Sequence, residues 1–538
     1  MNKLSRREFL RGAAASSVIA LVTPLGIHAE EAAGGEITLA SFSSTGGLDP
    51  AGFALDMWTE YAKLCTDGLV SYDLDGSLIY ESAESYEISD DNLVWTFHLR
   101  EEAKWSDGSA VTAADFVNTI QRALDPNNGN AIYANMLYNI AGAEEYNTGD
   151  GSLDDVMAVA VDDYTLQFTL DQPCSYFLKM MSMPVFYPSK TGLATNDNES
   201  WYKDPSTSLG NGAFCLESFT EGVGYSMVKN EYYYQADQVN LDRITVQFIS
   251  DQTALLSAYQ TGEVNVVTGL PDYVLDQYTE ETGLFIWSML TSKFILPNLS
   301  VAPLDDERVR EAIALALNRK EICSVIGSDY IASVNYVAEY MLSTISDEYF
   351  KDEQDPLFTE DEERAKELLA EAGYPDGGGF PTLTYKYPNS EKDSLMAQAI
   401  QAQLKSVLNI DIELVGEEDE VYAQEKKDGS YELIRHSWTA DYNDPINFLN
   451  LYTSDSTSNY NGVADEAFDA AIANSDLTTD AEERNQYLHE AQNILVSDNF
   501  YVIPVVTQVY ICLIDPSITG VTTNDKGEPI YRFAALNA

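Results

Sequence analysis

The sequence predicts an α/β protein, and three observations carry that prediction: alternating apolar and polar positions early in the chain, longer helical patterns after about residue 290, and a helix that feeds directly into an apolar strand. In LVWTFHLR, Trp95, Phe97 and Leu99 point one way while Thr96, His98 and Arg100 point the other. YTLQFTL, from Tyr164 to Leu170, repeats the pattern. Between them TAADFVNTIQRAL predicts a short amphipathic helix, with Thr112 as N-cap, Asp115 in the first turn, and Phe116, Ile120 and Leu124 along one face. Farther on, DDERVREAIALALNRKEI opens with two acids suited to the positive end of a helix. TEDEERAKELLAEAGYPDGGG offers a capping box, Thr359 with Glu362, and a stop at Gly373. SLMAQAIQAQLKSVLNI followed by DIELVG is the helix-to-strand unit of an α/β lobe. No tandem repeat or long low-complexity linker separates these segments, which suggests domains joined by several chain crossings.

The N-terminus predicts export. SRREFLR, from Ser5 to Arg11, continues into GAAASSVIALVTPLGI and reaches a small-residue exit at Ala29, the layout of a twin-arginine signal peptide over residues 1–29. A membrane anchor needs about 20 uninterrupted apolar residues. This run is shorter and broken by Ser16, Ser17, Thr23 and Pro24, and no cysteine near the exit offers a lipid attachment point. The expected location is the periplasm or the exterior of the cell envelope.

Lys+Arg number 30 against 87 Asp+Glu, a formal charge of -57, and loss of the leader (Lys3, Arg6, Arg7 and Arg11 against Glu8) would take it to -60. Such a surface repels phosphate backbones and anionic lipid, so nucleic acid is excluded as a partner. The five cysteines, Cys65, Cys174, Cys215, Cys323 and Cys512, are separated by at least forty positions, which fits buried thiols better than a zinc set or a disulfide framework. With 538 residues at 45% hydrophobic composition, the chain can fill two or three cores.

Catalytic signatures are sparse. Beyond the leader the histidines are His98, His436 and His489, none in a two-His helical spacing, and the sequence holds no GxSxG elbow, GxxxxGK[ST] loop or strand-following GxGxxG. Adjacent acids such as Asp90-Asp91 and Asp162-Asp163 read as solvated turns, and DLDG at Asp73 to Gly76 reads as a hairpin turn lacking the distal glutamate of a calcium loop.

Several blocks then occur in one order: ESYEISDDNLVWTFHLREEAKWSDGSAVTAADFVNTIQRALDP at 84–126, NGAFCLESFTEG at 211–222, PLDDERVREAIALALNRKEI at 303–322, LLAEAGYPDGGGFP at 368–381 and WTADYNDPINFLNLYTSDSTSNYNG at 438–462. In them the chain, from about Ile37 onward, resembles the family 5 extracytoplasmic solute-binding proteins that serve oligopeptide and dipeptide ABC importers. The resemblance implies a type II-like periplasmic binding fold, with two lobes, a hinge and a cleft, plus a smaller extra domain. Transferred limits place lobe one at 30–67, 191–290 and 507–538, the extra domain at 68–190 and lobe two at 291–506. It also implies a monomer without a cofactor, whose partners are a peptide ligand and the permease subunits of the importer.

Site residues follow from the same resemblance. Asp441, in the ADY triplet, matches the position that the oligopeptide binders set against the ligand's α-ammonium, a charge that is costly to bury unpaired. Alternatively it caps the turn through Asn443 and Pro445. Trp438 would wall the pocket beside Tyr442, and Ser437 to Thr439 would offer main-chain groups as a neighbouring strand does. Arg435, a charged residue in the apolar setting LIRHSW, matches a basic position used for the ligand's carboxylate. Lys426, in QEKKDGS, is either a second basic group for that purpose or a solvated turn lysine. Asp56 is either a second ligand-facing acid or a loop acid, and Tyr133 reaches the ligand or packs among its aromatic neighbours. Some family members bond a cysteine at the position of Thr439 to one near Thr291; neither is cysteine here. Competing expectations are the same fold holding a dipeptide, a nickel chelate or an oligosaccharide, and a secreted acidic hydrolase using an unrecognised carboxylate pair. His436 is the one chelate candidate beside the motif, and strand alternation turns it away from Arg435.

Overall fold

The computed structural model describes residues 35–41, 49–52, 59–129, 131–196, 201–270, 272–346 and 348–537. The predicted leader, Ala54 and Asp56 lie outside the described residues. The chain divides into two compact units, which exchange at Trp287/Ser288 and again at Tyr510/Ile511.

In the unit that holds the early chain and the C-terminal stretch, strands β1 (Gly35–Ser41), β2 (Val70–Tyr72), β3 (Leu78–Tyr80), β4 (Ala83–Ile88), β5 (Val94–Leu99), β6 (Ala158–Asp162), β7 (Thr165–Thr169), β8 (Phe214–Thr220), β9 (Gly224–Lys229), β10 (Leu241–Phe248) and β11 (Val266–Thr268) follow in chain order. They sort into the order β11-β1-β10-β9-β8, an antiparallel β2-β3 pair and a separate four-stranded antiparallel sheet, β4-β5-β7-β6. β1 runs parallel to both β10 and β11. The predicted alternation holds in β5 and β7: Trp95, Phe97, Leu99, Leu166 and Phe168 are buried, and Phe97 and Phe168 meet edge to face. The predicted helix forms over Ala113–Leu124, with the Asp115 carboxylate accepting from the Thr112 main-chain N–H. DLDG makes the predicted turn between β2 and β3, with the Gly76 N–H donating to the Asp73 carbonyl. Gly212 is required where it stands, because a Cβ there would lie 2.7 Å from the Leu64 carbonyl oxygen.

In the unit of residues 288–510, β12 (Leu284–Pro297) enters from the preceding segment, followed by β13 (Tyr330–Ala332), β14 (Leu383–Pro388), β15 (Ile412–Glu417), β16 (Leu433–Thr439) and β17 (Ile503–Ile514). Here the order is β15-β14-β16-β12-β17, with β13 also on β17. β14 is parallel to β15 and β16, while β16 is antiparallel to β12. The predicted helix-to-strand unit is present as helix Glu391–Leu408 leading into β15. Its Met396, Ile400 and Leu404 pack with Leu383, Leu433 and Ile313 in one core. Each such side chain contributes about 1.5–3 kcal/mol on burial.

Two helical readings need correction. The segment read as one run after Pro303 is two helices, Glu307–Leu315 and Arg319–Ile326. Asn318 breaks it, capping the second helix through the Glu321 N–H. The next helix runs Glu362–Glu371 and is capped by Asp361, whose carboxylate accepts from the Glu363 and Arg364 N–H groups, so the Thr359 capping box does not form. Asp361 stands at the N-cap and Thr359 two residues too early.

Candidate functional site

Strand β16 carries most of the predicted residues, and its register against β12 sorts them. Arg435 faces Ile295, Ser437 faces Lys293 and Thr439 faces Thr291, so these share one side of the pleat. His436 and Trp438 project to the other side. The pairing with β14 covers only Leu433 and Ile434, so among the described residues the stretch from Arg435 to Thr439 is laddered to β12 alone. On its other margin the Arg435 carbonyl accepts from the Tyr422 hydroxyl, and the Ser437 N–H donates to His436 Nδ1 at 2.8 Å. Both main-chain groups of a residue in an antiparallel ladder point the same way. The Ser437 carbonyl and the main-chain groups of Thr439 therefore turn away from β12.

The charge at Arg435 has a reason that the sequence hid. Its Nη2 lies 2.6 Å from Asp393 Oδ2 and its Nη1 donates to Ser437 Oγ at 2.9 Å, while Nε is buried without a hydrogen-bond partner among the described residues. Asp393 sits in the first turn of helix Glu391–Leu408, where its N–H donates to the capping Ser390 Oγ. A second cation, Lys293, reaches the same carboxylate at 3.5 Å and donates to the Tyr330 hydroxyl at 3.0 Å. Burial, with Arg435 nearby, pulls the Lys293 ammonium down to about 8 against the opposing pull of Asp393. Burial works against the Asp393 carboxylate, yet Arg435 and Lys293 together hold it below its ordinary range.

Lys426 does not stand in a solvated turn. It closes helix Asp419–Lys427, with its ammonium over the rings of Tyr460 and Tyr422 at 5.0 and 5.6 Å. Burial and the neighbouring Arg435 lower it to about 8. Burial, then Lys426 and Arg435, likewise hold His436 well below its ordinary value, so its imidazole is neutral. Within a chain of formal charge -57, this region gathers buried cations.

Asp441 is 8% exposed. Its main-chain N–H donates to Asn447 Oδ1 at 3.1 Å, the same oxygen that accepts from Trp438 Nε1 at 3.0 Å. The following turn has its own fastenings. Asn443 Oδ1 accepts from the Leu342 N–H, Asp444 accepts from the Ile446 N–H, and Arg484 grips Asp444 through both Nη atoms at 3.0 and 2.8 Å. The Ile446 N–H, at the start of the helical turn Ile446–Leu449, is therefore bonded to Asp444. Tyr442 is buried beside it.

Thr291 and Thr439, directly opposite in the ladder, join hydroxyl to hydroxyl at 2.8 Å. Tyr133 belongs to the other unit, half-buried at the start of the short turn Ala134–Leu137. The five cysteines are free thiols. No helix among the described residues is long and apolar enough to cross a membrane.

The fold is mixed α/β, and within it β16, laddered beyond Ile434 to β12 alone among the described residues, carries the buried Arg435 and leads to the buried Asp441. Residues 77–460 match the pattern of the bacterial extracellular solute-binding proteins, family 5 Middle, and the chain belongs to that family. It is 29% identical over 496 residues to the dipeptide-binding protein DppE of Bacillus subtilis, covering 91% of this chain and 89% of that one. With the oligopeptide-binding protein OppA of the same organism it shares 30% identity over 480 residues, 87% of this chain and 86% of its relative. Among solved structures, the periplasmic oligopeptide-binding protein OppAIV of Borrelia burgdorferi superposes with a TM-score of 0.76 at 27% identity, covering 93% and 99% of the two chains.

Proposed function

We propose that this protein is the peptide-binding component of an ABC importer, which captures short peptides and delivers them intact to a membrane permease without catalysis. The observation that carries this reading is the early end of the β14 ladder at Ile434, beyond which the Ser437 carbonyl and the main-chain groups of Thr439 turn away from β12. Asp441 lies beyond one end of that stretch and Arg435 and Lys426 at the other. A peptide with its ammonium at Asp441 and its carboxylate toward the cations would run antiparallel to β16. At about 3.3 Å per residue the stretch suits peptides of about three to five residues. Main-chain bonding disregards side-chain identity, so many sequences would be accepted.

Relatives named for dipeptides, oligopeptides and murein peptides support the substrate class. Twin-arginine export to the periplasm or outer face of the envelope, a monomeric state, indifference to nucleic acid, and the division into two lobes with a small domain over 68–190 belong to the same reading. Native mass spectrometry after incubation with a mixed peptide pool tests it. Intact peptides of a narrow length range should be retained, and shortened products would instead make this a hydrolase. Calorimetry on Asp441→Ala should show weakened peptide binding in a folded protein, and unchanged affinity would remove Asp441 from the site.

A further inference from the structure

The side chain of Asn447 is 2% exposed and meets two of the proposed ligand residues at once. Its Oδ1 accepts from the Trp438 indole at 3.0 Å and from the Asp441 main-chain N–H at 3.1 Å. Both partners are obligate donors, so the amide can sit only one way round. That orientation points Nδ2 at Asp441 Oδ2, 3.5 Å away, where it supplies an N–H to a carboxylate. The amide is itself fixed from behind. The Asn447 main-chain N–H donates to the Asp444 carbonyl at 3.0 Å, and the Asp444 carboxylate is held by Arg484, with both of those side chains buried.

We propose that Asn447 is the positioning residue of the ammonium-binding site: one amide sets the Trp438 indole and the Asp441 carboxylate relative to each other before any ligand arrives. The inference rests on the reading that Asp441 receives the ligand's α-ammonium. It adds that the carboxylate selects an ammonium because its direction is fixed by a neighbouring side chain that does not itself touch the ligand. An asparagine suits this role where aspartate would not. An Asp at 447 would keep both accepted bonds but turn a second anion toward Asp441, and the two carboxyl groups would then share a proton.

The test uses the full exported chain with two probes, an equimolar pool of mixed-sequence tri- to pentapeptides and the same pool N-acetylated, read by competition in native mass spectrometry. The wild type is expected to retain the free-amine pool at least about tenfold better, a difference of about 1.4 kcal/mol. If it shows no such preference, the Asp441 reading itself falls, and this inference with it. Given the preference, Asn447→Ala should reduce it to threefold or less. A core variant matched for thermal loss, Phe468→Leu, should retain it. Asn447→Ala discriminating as well as wild type would show that Asn447 only stabilises the fold. Should Asn447→Ala fail to fold, Asn447→Asp decides. Its free-amine preference should fall on acidification from pH 8 to 5 more steeply than that of wild type, and a parallel profile would overturn the proposal.

Discussion

Arg435 Nη2 and Asp393 Oδ2 stand 2.6 Å apart, a contact that fastens the middle of β16 to the first turn of helix Glu391–Leu408. With Lys293 on the other carboxylate oxygen, one buried anion serves two buried cations. Removing the shared partner leaves two like charges in a poorly solvated place, a loss of about 3–5 kcal/mol. Asp393→Ala is therefore expected to lower the denaturation midpoint far more than Arg435→Met, which leaves Asp393 its lysine. Equal losses in urea unfolding would contradict the shared-anion account.

Lys426 gives a pH signature. Its native value, near 8, lies below its ordinary 10.5, so between those values the unfolded chain binds the proton that the native chain has released, and stability rises with pH. Lys426→Met is expected to match or exceed the wild-type thermal midpoint at pH 7, with the gap closing toward pH 10. A gap that stays constant would mean that the ammonium is not desolvated.

The same lysine should mark ligand capture. If it faces the peptide's carboxylate, affinity for free-acid peptides falls between pH 7 and 9 as the ammonium is lost, and Lys426→Met shows weaker binding with a flatter profile. Isothermal titration at three pH values measures this, and identical slopes in both proteins would exclude Lys426 from the site.

In the other unit Asp67 behaves oppositely. Burial raises it to about 7 although Arg532, 2.9 Å away, pulls it down. The native state thus keeps a proton that the unfolded chain has lost, so this group's contribution is greatest below about pH 4 and fades as pH rises through 7. Asp67→Asn should gain in thermal midpoint relative to wild type on going from pH 5 to 8. A relative loss over that interval would show that the ion pair with Arg532 dominates.

Thr291 and Thr439 lie opposite each other with hydroxyls in contact. The double variant Thr291→Cys, Thr439→Cys is expected to close a disulfide on mild oxidation without loss of peptide binding. Persistent free thiols by mass shift would mean that the two Cβ atoms diverge.

Period-two alternation made β5 and β7 legible, and the amphipathic pattern did the same for helix Ala113–Leu124, because each buries one face against a nearby element. The break at Asn318 and the cap at Asp361 were missed, since several polar residues compete for a helix start and only local geometry selects one. The anomaly at Arg435 was visible as a charge among apolar neighbours, but Asp393 was not, since it lies 42 positions away and reads as an ordinary first-turn acid. Asn447 carried no signal at all. Its importance comes from two donors converging on one oxygen, a fact of folding back and not of spacing.

The end of the β14–β16 pairing at Ile434 also carries a hazard. A bare strand margin templates any extended polypeptide, including a second copy of the same chain, and soluble proteins commonly blunt such margins. Here the run is short, and the Tyr422 hydroxyl and His436 ring already occupy two of its main-chain groups. The unladdered part is thereby trimmed to a few atoms, a margin too short for a second chain to pair along as a strand.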